Sequence, residues 1–174
     1  MNILEVKNLS IYFNTNKDNQ ILAASNINFS ISKGETLSIV GESGSGKTII
    51  GLSIMKLLPY PLAGHGSESK ILFKGEDILQ KSNFQMRKLR GKKISMIFQE
   101  PMTSLNPVFT IGDQINEVHS IHNNLSRDES NKLTISLLDK VGIPNPEISI
   151  KKYPHQLSGG QRQRLFIARE LYKN

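Results

Sequence analysis

The sequence predicts an α/β fold built around an anion-binding loop, and three observations carry that prediction. GESGSGKT, Gly41 to Thr48, fits the pattern G-x-x-x-x-G-K-[ST]. It is flanked by an apolar run, Leu37 to Val40, and by the helix-forming stretch Ile49 to Leu58, so it reads as strand, glycine-rich turn and helix. Strand-period segments precede this unit and helix-period segments follow it.

The chemistry of the loop follows from its residue types. Gly41, Gly44 and Gly46 lack a Cβ, which lets the backbone curl its N–H groups around an anion. Lys47 then sets an ammonium between the β- and γ-phosphates of a nucleotide, the Thr48 hydroxyl is placed to ligate Mg²⁺, and the helix N-terminus adds partial positive charge. Glu42, Ser43 and Ser45 complete the loop. The competing reading, a glycine-rich turn that binds nothing, does not account for the strand before and the helix after.

Taken in order, Ile3 to Phe13 and Leu22 to Ile31 read as two strands joined through Lys17 to Gln20. In the second, Ile27, Phe29 and Ile31 alternate with polar residues, as in an antiparallel sheet with one wet face. Tyr12 and Phe13 read as core or edge aromatics, or as a stacking surface for a base. Lys33-Gly34 turns the chain into the loop strand. Past the loop helix, Pro59 to Gly66 is a breaker-rich connection, and Lys70 to Lys74 reads as a strand ended by Gly75. A short helix over Phe84 to Leu89 precedes an apolar strand, Ile94 to Phe98, that delivers Gln99 into the loop Gln99 to Pro107.

Helices are then predicted over Ile111 to His122 and Arg127 to Val141. Ser126 and Glu129 have capping-box spacing, and Gly142 is the stop. His119 and His122, three apart on one face, have the spacing of a metal pair but lack a third ligand, so ordinary histidines are the favoured reading. Tyr153 to Gln161 breaks into a helix, Arg162 to Tyr172. Ser158-Gly159-Gly160 at its start is either a second anion site or a turn with an N-cap.

Composition bounds the rest. At 174 residues, 37% apolar and 21% charged, the chain is long enough for a real core and is not of disordered type. It contains no cysteine, hence no disulfide, thiolate metal site or cysteine nucleophile. MNILEVKNLS does not have the layout of a secretion signal and no stretch is a membrane span, so a soluble intracellular protein is expected. A net charge of +7 suits anionic partners: nucleotide phosphates, an anionic membrane surface or nucleic acid. The densest run, Arg87 to Lys93, reads as a solvated face, and without an accompanying nucleic-acid module no nucleic-acid partner is expected.

GESGSGKT, IFQEPMTSLNP and YPHQLSGGQRQR, in that order, resemble the ATP-binding subunit of ATP-binding cassette (ABC) transporters. The wording of the last two segments is similar to the oligopeptide, dipeptide and nickel importers. The resemblance implies a P-loop NTPase of ABC cassette type, a RecA-like core with an antiparallel β subdomain and a helical subdomain. Residues 1–99 would be the core with the β subdomain, 100–160 the helical subdomain and 161–174 the first helix returning to the core. It implies ATP and Mg²⁺ as cofactors, with Gly41 to Thr48 as the phosphate loop and Phe13, rather than Tyr12, stacking on adenine. It implies Gln99 as the residue reaching the Mg²⁺ and the attacking water. Ser158, Gly159, Gly160 and Gln161 would contact the γ-phosphate of ATP held by a second cassette. The implied partners are that second cassette, transmembrane permease subunits and, indirectly, a solute-binding protein, at the cytoplasmic face of the membrane. The implied function is energising the import of peptides or nickel. A small nucleotide kinase and a non-transport ABC ATPase acting on DNA or ribosomes fit the last two segments less well.

The family continues past the signature into a hydrophobic strand ending in Asp-Glu and then a switch histidine, none of which has a counterpart in these 174 residues. The expectation is therefore an N-terminal fragment that holds nucleotide contacts and hydrolyses ATP poorly alone, an inert remnant being the alternative. The strands that separate Leu37 to Val40 from Ile94 to Phe98 in such folds are likewise missing. Their edge groups are expected to lack partners, at about 1–3 kcal/mol for each buried unpaired group.

Overall fold

The computed structural model describes residues 2–16, 19–98, 105–123 and 125–171, in two compact units, Met1–Arg87 and Lys88–Asn174. The first opens with two long strands, β1 (Asn2–Asn16) and β2 (Asn19–Ser32), paired antiparallel with Val6 opposite Phe29 and Phe13 opposite Ile21. The alternation in β2 is realised: Ile27, Phe29 and Ile31 are half-buried between exposed Asn28 and Ser30. The β1–β2 register shifts between Val6 and Leu9, next to Asn8, which is held at φ 50 and donates its N–H to the Asn28 side chain at 2.9 Å.

After the loop and helix α1 (Lys47–Ile54), short strands β3 (Ala63–His65), β4 (Lys70–Phe73) and β5 (Glu76–Asp77) complete an antiparallel sheet. Its order is β2-β1-β4-β5, with β3 also on β1. β1 is thus the hub, pairing with β3 near Phe13 and with β4 near Leu4. Strand β3 lies inside the stretch expected to be only a connection. Val6, Leu9, Ile11, Ile71 and Ile78 are buried, and helix α2 (Asn83–Leu89) is anchored through fully buried Met86.

Two expected strands are corrected. Leu37 to Val40 and Ile94 to Phe98 belong to no strand; the second has only an isolated bridge between Arg90 and Ile94. Val40 is 90% exposed, and Leu37, Ile39, Ile97 and Phe98 are exposed as well. Apolar content marks a segment for burial, but a strand forms only where a neighbour takes up its N–H and C=O groups. Among the described residues neither segment has such a ladder.

The second unit is helical: α3 (Ile111–Asn123), α4 (Arg127–Lys140), α5 (Pro146–Ser149), a 3₁₀ turn (Pro154–Gln156) and α6 (Gly159–Leu171). Its core joins Ile111 and Ile115, Leu137 and Leu138, Ile143, and Leu165. The signals at both ends of α4 are realised. Ser126 and Glu129 close a full capping box, and Gly142, at φ 69, bonds to Asp139 O while Ile143 bonds to Leu138 O. The final helix starts at Gly159, three residues before the expected Arg162, and the side chains of His119 and His122 lie outside the described residues. No helix among the described residues is long and apolar enough to cross a membrane.

Candidate nucleotide site

The loop Gly41 to Thr48 is shaped by its glycines. Gly44 and Gly46 sit at φ 84 and φ 90, a region costly for any residue with a Cβ. Gly46 is also the N-cap of α1, with no side chain capping the helix and no acidic residue in its first turn. The first amides of α1 therefore keep no intrahelical acceptor, and no carboxylate of its first turn offsets the positive end of the helix dipole.

Lys47 folds back into the loop. Its Nζ donates to Gly41 O at 2.7 Å, to Glu42 O at 2.5 Å and to Ser45 Oγ at 3.2 Å, while Ser45 N–H closes on Glu42 O at 3.2 Å. The ammonium is held among neutral acceptors where an anion would be a stronger partner. Glu42, Ser43, Ser45 and Thr48 are exposed, so the Thr48 hydroxyl is open to a metal carried by phosphates. These features fit a nucleotide phosphate chain: a cradle free of Cβ atoms, free helix amides, one cation and one open hydroxyl.

The helix behind the loop ends in a hydrogen-bonded reversal. Lys56, at φ 50, bonds to Ser53 O and Leu57 bonds to Leu52 O, while Lys56 Nζ reaches the carbonyls of Leu79 and Lys81 at 2.8 and 2.5 Å. Fully buried Ser53 pairs its Oγ with His65 Nε2 at 2.6 Å, which ties the loop helix to β3. Burial and, next, the Lys56 charge push the His65 pKa below its ordinary value, against a smaller opposing effect of Asp77.

Phe13 is half-buried on β1, opposite Ile21 of β2 and Ala63 of β3. The structure links it to the loop through β2, because the Ala23 carbonyl oxygen lies 2.8 Å from where a Cβ on Gly46 would stand. No sequence signal marks Ala23 for this role. Gln99 lies outside the described residues.

In the other unit, Ser158 caps α6. Its Oγ accepts from Gln161 N–H at 3.3 Å and its N–H donates to Gln161 Oε1 at 3.0 Å. Of the two readings of Ser158-Gly159-Gly160, the structure realises the N-cap; Gly159 and Gly160 are exposed at the helix start, with nothing within 4 Å of where a Cβ on Gly160 would stand. Gln161 as the capping partner was legible, since S-x-x-Q is the same spacing as Ser126 to Glu129.

The chain is 48% identical over 172 residues to the oligopeptide transport ATP-binding protein OppD of Bacillus subtilis (strain 168), covering 99% of this chain and 48% of that one. It is 46% identical over 169 residues to the dipeptide transport ATP-binding protein DppD of the same organism, covering 97% and 50%. The chain thus spans about half the length of these relatives. Among solved structures, the dimeric ABC transporter cassette MJ0796 superposes with a TM-score of 0.78 at 25% identity, over 98% of this chain and 70% of that one. CbiO1 from Clostridium perfringens, part of the ABC transporter complex cbiONQ, gives 0.75 at 28% identity, over 99% and 62%. The family model for ABC transporters matches residues 24–174, and the chain belongs to the ABC transporter family.

Proposed function

We propose that this chain binds Mg·ATP at Gly41 to Thr48 and acts as ATP-binding part of an importer of peptides, working with a second cassette and transmembrane permease subunits at the cytoplasmic face of the membrane. The observation that carries the reading is the Lys47 ammonium gathered inside a glycine loop at the uncapped N-terminus of α1. Thr48 and Gln99 are the groups assigned to Mg²⁺, Gln99 also to the attacking water, and Phe13 to adenine. Within this reading residues 1–99 serve as nucleotide-binding core, 100–160 as helical subdomain and 161–174 as the helix returning to the core. The names of the oligopeptide and dipeptide relatives favour peptides over nickel as the solute.

ATP binding replaces two neutral carbonyl acceptors of Lys47 by charged phosphate oxygens. Charge-assisted bonds exceed neutral ones by roughly 1–1.5 kcal/mol each, so the gain is about 2–3 kcal/mol. Lys47→Ala is expected to weaken Mg·ATP binding about 30- to 150-fold by titration calorimetry. Wild-type protein that releases no heat with Mg·ATP, or a variant that binds as tightly as wild type, would overturn the reading.

Ser158, Gly159, Gly160 and Gln161 are assigned to the γ-phosphate of a nucleotide held by the second cassette. Self-association that requires Mg·ATP and is lost in Ser158→Arg, measured by light scattering, tests that assignment. Association unchanged by either would reject it.

A further inference from the structure

One feature singled out by the sequence lies outside nucleotide chemistry. From Ile78 to Gln99 there is no acidic residue, while Lys81, Arg87, Lys88, Arg90, Lys92 and Lys93 all fall there. These six account for nearly all of the net charge of +7, so the rest of the chain is close to neutral.

The structure adds an aromatic to this charge. In α2, Met86 is fully buried, whereas Phe84 is 66% exposed and Arg87 and Lys88 are exposed. Residues 84, 87 and 88 stand at i, i+3 and i+4, on one face of the helix. The helix runs straight into a turn that its last residue holds, Lys93 N–H bonding to Leu89 O at 2.8 Å and Lys92 N–H to the same oxygen at 3.3 Å. Lys92 and Lys93 are exposed on that turn.

We propose that this helix and turn, through Phe84, Arg87, Lys88, Lys92 and Lys93, contact an anionic phospholipid surface directly. Charge complementarity chooses the occupant: a cluster of four cations matches a sheet of lipid phosphates in sign. The single large aromatic beside them fits a lipid interface, where its ring enters the headgroup boundary and the cationic heads stay in water. Single-stranded nucleic acid is matched less well, because it calls for a row of aromatics on which successive bases stack, and α2 with its following turn carries Phe84 alone. The contact needs neither nucleotide nor a permease, so it stands or falls separately from the function proposed above.

The chain contains no tryptophan. Phe84→Trp in this 174-residue chain therefore gives a single tryptophan within the patch. With vesicles of phosphatidylcholine containing phosphatidylglycerol, its emission is expected to shift to the blue, and the protein to float with the vesicles. Pure phosphatidylcholine should produce neither. Lys88→Gln/Lys92→Gln/Lys93→Gln should cut partitioning by about fivefold per charge removed, about a hundredfold in all, and added salt should do the same. Arginine at the same three positions should restore it, and equal melting temperatures of the variants show that folding is unaffected. Equal flotation with neutral and anionic vesicles, or an unshifted emission, would overturn the proposal. So would quenching by an oligonucleotide at concentrations where vesicles have no effect, which would assign the patch to nucleic acid. Lys47→Ala should leave vesicle binding unchanged while weakening Mg·ATP binding about 30- to 150-fold, which separates the two proposals.

Discussion

Alanine at Gly44 and at Gly46 makes a controlled comparison of what holds the glycine-rich loop. Both residues are left-handed, φ 84 and φ 90, so each substitution costs about 1–2 kcal/mol in backbone strain. Their surroundings differ. A Cβ on Gly44 meets nothing within 4 Å, but a Cβ on Gly46 stands 2.8 Å from the Ala23 carbonyl oxygen. That oxygen belongs to the backbone of β2 and cannot rotate aside, so the loop or the strand must move. Overpacking of this kind adds about 1–3 kcal/mol. Gly44→Ala should thus lose about 1–2 kcal/mol and Gly46→Ala about 2–5, against a total of about 5–15 kcal/mol for a domain. Urea unfolding followed by circular dichroism measures both, the midpoint falling further for Gly46→Ala at an unchanged slope. Equal midpoints for the two variants would refute the packing of the loop on β2. A Gly46→Ala protein as stable as wild type would refute the left-handed cap itself.

Other outcomes follow from the same physics. Ser126→Ala removes the cap of α4 and should cost about 1 kcal/mol in chemical unfolding. Its partner Glu129 has a carboxyl pKa lowered by the Ser126 hydrogen bonds, so the stability it adds is present above its unfolded value of 4.5 and is lost as pH falls through the folded one. Melting temperatures of wild type and Glu129→Gln should therefore differ at neutral pH and converge in acid. His65 is a base whose folded pKa is lowered, chiefly by burial. Its contribution is complete above about pH 6.5 and declines as pH falls from there towards the folded value, where the unfolded chain takes up the proton first. A pH-melting profile should show this decline, and His65→Gln should lack it. Leu138→Ala, at a fully buried position of the helical core, should cost about 2–5 kcal/mol by the same unfolding assay.

Much of the architecture and the shape of the glycine loop were legible because their signals are local. The alternation of Ile27, Phe29 and Ile31, the box from Ser126 to Glu129, the stop at Gly142 and the loop Gly41 to Thr48 each depend on residues within a turn or two of one another. Short-range sterics and hydrogen bonding specify them, whatever packs around them later. The reading failed where the outcome depended on a distant partner. Leu37 to Val40 and Ile94 to Phe98 have strand composition, but a strand is a relation between two segments, and no ladder reaches them among the described residues.

The amino-acid sequence by itself determined that this chain carries a glycine-rich loop with Lys47 at a helix start, a second glycine-rich helix start at Ser158, and an acid-free cationic stretch before Gln99. Tertiary structure alone decided that Ser53 meets His65, that Lys56 reaches the carbonyls of Leu79 and Lys81, and that Ala23 of β2, the strand paired with that of Phe13, stands against Gly46. The division has a physical cause. Conformational preferences act over a few bonds and can be read along the chain, whereas contacts between residues far apart in sequence exist only once long-range packing has repaid the entropy of bringing them together.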